Sequence, residues 1–354
     1  MSMNEHASPA EGSGFPIVGA IGSPYSRKLR AVLRYRRLPY RWIHQGSPES
    51  VSLPRPKVPL LPQLILEDEN GQPVARTDTS PLIRELERRF PRERTVVPGD
   101  PALAFLDSLI EDHADEWLTK AMFHYRWSFE PDIEKATTLL PRHYAPGQSD
   151  EALAEAGRSF GQRQIERLAV VGSSEETAPV IEQSYLRLLD LLEAHLRSHR
   201  FLFGARPGTG DFGLYGQLSQ LALFDPTPSA CAFERAARVV AWTGIVEDLS
   251  GLEPEPDDWL DRNDLPDTLR ALFTEIGRVY VPFLLANAEA LDQGLDTVEC
   301  EIDGRRWTQK PFPYQGKCLG WLREDQARLS DADRRFVDGF LEGTGCEALF
   351  ARLT

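Results

Sequence analysis

The chain has 354 residues, of which 41% are hydrophobic, and its formal net charge is −14 at pH 7. A chain of this length and composition can bury a large core and most often folds as two domains. The negative charge argues against nucleic acid or an anionic membrane as a partner. The sequence shows neither a signal peptide nor an apolar run of transmembrane length, so we expect a cytoplasmic protein.

The cysteines and histidines give no sign of a metal site. The four cysteines, Cys231, Cys300, Cys318 and Cys346, are scattered without a CxxC or metal-like spacing, and the seven histidines form no spaced pair on one helix face. We therefore expect reduced thiols and no metal. Residues 1–14 are small and polar, which predicts a disordered tail.

The first predicted strand and helix meet at Ser23-Pro24. Ser23 suits the N-cap, and Pro24 suits the first position of a helix predicted over residues 24–37. The free N–H groups and the dipole of such a helix start would favour an anion, such as a thiolate, beside the Ser23 side chain. A Ser-Pro pair after a strand is, by itself, more often only a cap.

The next elements predict a small α/β unit. Residues 39–44 form a predicted strand, residues 47–59 a proline-rich loop, and residues 63–66 and 74–76 a hairpin around an Asn-Gly turn. Ser80-Pro81 starts another predicted helix, which Pro91 ends. The predicted order is therefore β-α-β-loop-β-β-α.

This order resembles the thioredoxin-like N-terminal domain of the cytosolic glutathione transferases over residues 15–92, and three segments carry the resemblance. The segment from Ser23 to Ser26 is similar to the Ser-type active site of the tau, theta and zeta classes. Leu61-Pro62 resembles the family's Val-Pro, which has a cis peptide bond. Asp78-Thr79 resembles its Glu-Ser pair.

The resemblance implies a glutathione site. The Ser23 hydroxyl would be the catalytic donor to the glutathione sulfur, with Tyr25 beside it; whether Ser23, Ser26 or Tyr25 faces the sulfur stays open. Leu61 and Pro62 would pair with the cysteinyl part of glutathione, and Asp78 and Thr79 would hold its γ-glutamyl group. Ser80 is a second candidate for the helix cap next to Thr79.

The residue type at position 23 selects the chemistry. A cysteine there would exchange disulfides with glutathione, whereas a hydroxyl can only stabilise the thiolate by a hydrogen bond. Ser23 therefore predicts a glutathione transferase-like enzyme that uses glutathione as co-substrate against a small electrophilic or apolar substrate. One alternative is a glutathione-dependent isomerase or dehalogenase. The basic face of the first helix, from Arg27 to Arg37, is either a patch for anionic glutathione or a solvated surface.

A second alternative is a non-catalytic binding or assembly module of the same fold, and three departures from the family pattern favour it. Asp78 is shorter than the usual Glu, and Thr79 replaces Ser. Leu60 and Leu61 stand where many relatives have a lysine before the proline.

After a linker at residues 93–99, helical patterns dominate and predict an all-α C-terminal domain over residues 100–354. His113, Trp117 and Tyr125 lie near an apolar stripe and either line the electrophile site or pack in the core. Residues 184–200 predict another helix. Gly208 and Asp211 resemble the capping pair of the family's buried central helix.

From about residue 290 the chain extends beyond the usual pair of domains. This extension is rich in aromatic residues, so we expect it to fold back on the helical domain and to bury Trp321, Phe336 and Phe340. The resemblance also implies a homodimer.

Overall fold

The computed structural model describes residues 14–351. The tail predicted at residues 1–14 therefore lies, except for Gly14, outside the described residues. Within the described residues, no helix is both long and apolar enough to cross a membrane.

The N-terminal unit is a four-stranded sheet with helices packed against it, which confirms the predicted thioredoxin-like fold. The strand order is β2-β1-β3-β4; β1 and β2 are parallel, and β3 is antiparallel to β1 and β4. Its elements are β1 (Phe15–Gly19), α1 (Pro24–Tyr35), β2 (Tyr40–His44), α2 (Pro48–Ser52), β3 (Gln63–Glu67), β4 (Pro73–Arg76) and α3 (Thr79–Arg89).

The short helix α2 lies where the sequence predicted a loop. Ser47 caps it by accepting a hydrogen bond from the Ser50 N–H at 3.2 Å, and Pro48 occupies its first position. The serine-then-proline start therefore forms here, although the proline-rich surroundings limit the helix to five residues.

The C-terminal region is mainly helical, as predicted. Its helices before the extension are α4 (Pro101–His113), α5 (Thr119–Ser128), α6 (Glu130–Tyr144), α7 (Asp150–Ile165), α8 (Ala178–His195), α9 (Thr209–Leu221), α10 (Pro226–Arg235), α11 (Ala237–Val246) and α12 (Asp267–Gln293). A turn of π-helix (Ala114–Leu118) joins α4 to α5, and 3₁₀ turns lie at Leu168–Val171, Pro256–Asp258, Arg262–Asp264 and Cys346–Phe350.

Helix α9 lies at the centre of this region, and every one of its residues is buried. At its start the Asp211 carboxylate accepts a hydrogen bond from the Gly208 N–H at 2.9 Å. The Asp107 carboxylate, from α4, accepts another from the Thr209 N–H at 2.7 Å. The predicted capping pair therefore forms, and an acid from a neighbouring helix replaces the missing side chain of Gly208.

The extension amends the prediction of a wholly helical C-terminal region. It begins with an antiparallel hairpin and continues with two helices: β5 (Val298–Ile302), β6 (Arg305–Gln309), α13 (Pro313–Arg328) and α14 (Asp331–Leu341). Its hairpin is anchored by Trp307, which is fully buried and lies 5.2 Å from the Trp117 ring and 6.1 Å from the Phe283 ring.

The extension folds back as predicted, but of the three residues that we expected to be buried, one is exposed. Trp321 is 39% exposed, whereas Phe336 and Phe340 are partly buried against the core. The buried residues of α13 share one helix face; they are Gln315, Cys318, Leu319 and Leu322. Trp321 lies between Leu319 and Leu322 in sequence and therefore projects away from that face.

Candidate functional site

Strand pairing brings the predicted site segments to one end of the sheet. Leu64 of β3 pairs with Ile17 of β1 and with Arg76 of β4. The start of β3 therefore lies beside the ends of β1 and β4. The Leu61–Pro62 peptide bond, which is cis, directly precedes β3.

Ser23 caps α1 as a hydrogen-bond acceptor, and its hydroxyl proton remains available for a hydrogen bond to a ligand. Its backbone is extended (φ −99°, ψ 119°), and its Oγ accepts a hydrogen bond from the Ser26 N–H at 3.2 Å. Within residues 14–351, its hydroxyl donates to no other group, and the side chain is partly exposed. A hydroxyl can accept and donate at once, so Ser23 can donate to a ligand without losing its cap bond.

The other two hydroxyls of this segment are engaged elsewhere. The Tyr25 Oη donates to the backbone carbonyl of Asp115 at 2.7 Å. Ser26 is fully buried, and its Oγ accepts from the Ala20 N–H at 3.3 Å. Of the three hydroxyls that the sequence left open, Ser23 is thus the one that combines exposure with a free proton.

The helical region braces the loop that carries Ser23. Arg126 donates to the Gly22 carbonyl at 2.9 Å, and Gln220 donates to the Ile21 carbonyl at 3.3 Å. Arg126 is itself held by the fully buried Asp225, through hydrogen bonds of 2.9 and 2.8 Å. Such a buried bidentate pair fixes the direction of the guanidinium and hence the position of the loop. The site residues predicted from the sequence do not include these side chains.

At the other end of the predicted site, Asp78 adopts a backbone conformation that is rare for a residue with a side chain (φ 76°, ψ 110°). Conformations of this kind cost free energy and are concentrated at ligand sites. Thr79 follows as the first residue of α3 and is 3% exposed. Burial raises the pKa of the Asp78 carboxyl, although a hydrogen bond from Tyr314 opposes this effect.

Tyr314, from the extension, contacts the predicted γ-glutamyl site. Its Oη donates to the Asp78 Oδ2 at 2.6 Å, across 236 positions of sequence. A carboxylate has about four lone-pair positions, so Asp78 keeps acceptor capacity for a second donor. Aromatic residues are dense around Tyr314 in the sequence, but this density does not connect Tyr314 to Asp78.

The basic face of α1 does not form an open anion patch. Arg27, Arg30 and Arg34 all pair with Glu247, at 2.5, 2.5 and 2.8 Å. These arginines are therefore engaged within the chain and join α1 to the segment after α11.

The three aromatic candidates of the helical domain are core residues. His113, Trp117 and Tyr125 are 1%, 2% and 3% exposed. Burial lowers the pKa of His113 to about 3, so its imidazole is neutral at physiological pH. These residues support the site through packing, in agreement with the second of the two alternatives given by the sequence.

Two family models match the chain. The glutathione S-transferase N-terminal domain matches residues 17–94, and the glutathione S-transferase C-terminal domain matches residues 151–243. No curated protein matches the chain.

Several solved structures are similar to the chain at low sequence identity. A glutathione transferase from Pseudomonas putida with bound glutathione disulfide is 13% identical and has a TM-score of 0.39, over 70% of this chain and 90% of its own. A glutathione S-transferase from Rhodospirillum rubrum is 18% identical and has a TM-score of 0.39, over 70% and 97%. Maleylacetoacetate isomerase from Anaeromyxobacter dehalogenans with bound glutathione is 16% identical and has a TM-score of 0.37, over 69% and 98%.

Proposed function

Because the chain belongs to the glutathione S-transferase family, we propose that it binds glutathione at the sheet end described above and that Ser23 stabilises the glutathione thiolate for attack on an electrophile. The observation that carries this proposal is the state of Ser23, a partly exposed hydroxyl at a helix start whose proton is uncommitted within the described residues.

The free energy needed to stabilise the glutathione thiolate at this site is modest. Lowering the pKa of the glutathione thiol by about two pH units requires about 2.7 kcal/mol of preference for the thiolate. A charge-assisted hydrogen bond contributes about 1.5–3 kcal/mol, and a helix N-terminus adds about 0.3–1 kcal/mol. Ser23 and the start of α1 together can meet this demand. Glutathione itself is then the nucleophile.

The remaining contacts follow the predicted assignment. We assign the backbone of Leu61, held by the cis bond to Pro62, to the cysteinyl part of glutathione, and Asp78 and Thr79 to its γ-glutamyl group. Tyr25 has a different role in this proposal. Because its hydroxyl donates to the Asp115 carbonyl, its side chain links α1 to the π-helical turn and lines the site beside the sulfur.

Replacing Asp78 with alanine should weaken glutathione binding by about 1–3 kcal/mol, because the hydrogen bond between the carboxylate and the ligand's ammonium group is lost. Isothermal titration of parent and variant with glutathione measures the change. The parent should bind with a dissociation constant between micromolar and low millimolar.

The matched control for this titration is Tyr314→Phe, which keeps the carboxylate and removes only its partner within the chain. This variant should bind glutathione at least as well as the parent. Equal binding by parent and Asp78→Ala would contradict the assignment of Asp78.

The contact between Tyr314 and Asp78 also favours a second candidate function, a non-catalytic module of the same fold. In that case Tyr314 occupies the γ-glutamyl site permanently, and the extension has replaced the ligand. The same titration separates the two functions: absence of any binding by both the parent and Tyr314→Phe would support the module and contradict the enzyme.

A further inference from the structure

A second cleft lies beside the predicted γ-glutamyl site, between α4 with its π-helical turn on one side and α13 on the other. The cleft is partly open to solvent. The α4 side presents four acids within six positions, Glu111, Asp112, Asp115 and Glu116. The α13 side contributes Tyr314, Cys318, Trp321, Leu322 and Asp325.

The four acids of α4 and its π turn are all largely buried, and their charges are not balanced. Two buried lysines meet these four acids. Lys28 lies 2.7 Å from Glu111 and 2.5 Å from Asp115, and the charge of Lys120 opposes the rise that burial causes in the pKa of Glu116. Arg84, at the rim, is exposed. Tyr280 donates a neutral hydrogen bond to Asp112 at 2.6 Å. Buried carboxylates without a counter-charge are costly, so the cleft favours either added protons or an added cation.

One atom in this cleft is left without a partner. Asp115 binds Lys28 through Oδ2, but its Oδ1 is buried and has no hydrogen-bond partner within the described residues. The Asp115 side chain is 9% exposed and lines the cleft. An unsatisfied buried acceptor of this kind points to a donor that the chain itself does not supply.

The residues around the cleft favour an organic cation over a metal ion. Within residues 14–351, no group of three or more His, Cys, Asp or Glu side chains is placed to hold a metal ion. At the mouth of the cleft, Trp321 is 39% exposed and lies 6.0 Å from Tyr314, ring centre to ring centre. Indole and phenol rings attract organic cations and cover their alkyl chains.

We propose that this cleft binds the ammonium group of a small alkylamine, with the carboxylates of Asp115 and Glu116 as acceptors and Trp321 against the alkyl chain. This cleft adjoins the site assigned to glutathione, because Tyr314 lines the cleft and also donates to Asp78, but Asp115 and Glu116 are not among the residues assigned to glutathione. The π-helical turn gives Asp115 and Glu116 their position at the cleft, which accords with the frequent occurrence of such turns at functional sites.

Isothermal titration of the full chain with butylamine tests the proposal. A suitable condition is about pH 8.5, because alkylamines stay protonated there. Burial raises the pKa of Glu116 to about 8, so much of this carboxyl is ionised under the same condition. Butan-1-ol serves as the uncharged probe. We expect saturable binding of butylamine, no binding of butan-1-ol, and unchanged butylamine binding when glutathione is present in excess.

Two variants make the test specific. Glu116→Gln should weaken butylamine binding at least tenfold, whereas Glu324→Gln, which removes the same charge from an exposed position of α13, should leave it unchanged. If Glu116→Gln does not fold, Trp321→Ala provides the second test, with an expected loss of at least threefold. Absence of saturable binding by the parent, equal losses in both glutamate variants, or displacement by glutathione would overturn the proposal.

Discussion

Replacing Ser23 with alanine should lower the rate of glutathione conjugation by at least about tenfold, while glutathione affinity stays within a few-fold of the parent. The reason is that, in the proposed arrangement, Ser23 donates only to the sulfur, so its loss would raise the pKa of the bound thiol without removing the contacts to the rest of glutathione. Loss of the full shift of about two pH units would cost about a hundredfold in thiolate population near neutral pH. Steady-state rates with excess glutathione measure the change.

The control for Ser23→Ala must separate chemistry from capping, because Ser23 also caps α1. Ser149 caps α7 in the same way, accepting a hydrogen bond from the Ala152 N–H at 3.2 Å. Both alanine variants should lose about 1 kcal/mol of stability. Ser149→Ala should nevertheless keep the parent rate. An unchanged rate in Ser23→Ala would move the donor role to another hydroxyl.

Ending the chain after Leu295 should give insoluble or partly unfolded protein. The truncation removes a set of buried apolar side chains that includes Val298, Ile302, Trp307, Leu319, Leu322, Val337, Leu341 and Leu349. Each such side chain contributes about 1.5–3 kcal/mol when buried, and together they exceed the 5–15 kcal/mol by which a typical domain is stable. Circular dichroism and thermal unfolding of the truncated chain measure the outcome.

The truncation also removes polar partners of the remaining core. Asn287 of α12 exchanges hydrogen bonds with the backbone of Phe312, and the buried Lys120 donates to Gln309 at 2.9 Å. Loss of these partners leaves buried polar groups unsatisfied. A soluble truncated chain with the parent melting temperature would show that the extension is a separate appendage.

Two point variants test, within the intact chain, how much single aromatic side chains of the extension contribute to stability. Trp307→Ala should destabilise the protein by about 3–5 kcal/mol, because it empties a fully buried site. Trp321→Ala removes the same side chain from a position that is 39% exposed, and it should cost less than about half as much. Similar losses in both variants would contradict the burial assigned to Trp307.

The N-terminal unit could be predicted from sequence because its signals are local. A serine followed by a proline starts a helix at Ser23 and again at Ser47, and an Asn-Gly pair marks the turn between β3 and β4. Each of these signals acts within a few residues, so no knowledge of tertiary contacts is required. The proline-rich segment around α2 was mispredicted because prolines argue for a loop even where one of them starts a helix.

The contacts of the extension could not be predicted, because they join residues far apart in sequence. Tyr314 meets Asp78 across 236 positions, and nothing near either residue indicates the other. The acids from Glu111 to Glu116 are visible in the sequence, but such a charged stretch on a helix normally faces solvent. Here α13 covers it, so only the fold shows that these carboxylates line a cleft.

The most direct test of the central claim is the ionisation of glutathione on the protein. The ultraviolet absorbance of the thiolate, recorded against pH with saturating protein, gives the pKa of the bound thiol for the parent and for Ser23→Ala. We predict that the parent lowers this pKa by about two pH units relative to free glutathione and that Ser23→Ala returns most of that shift. A bound thiol that titrates like free glutathione in the parent, or equally low in both proteins, would contradict the role of Ser23.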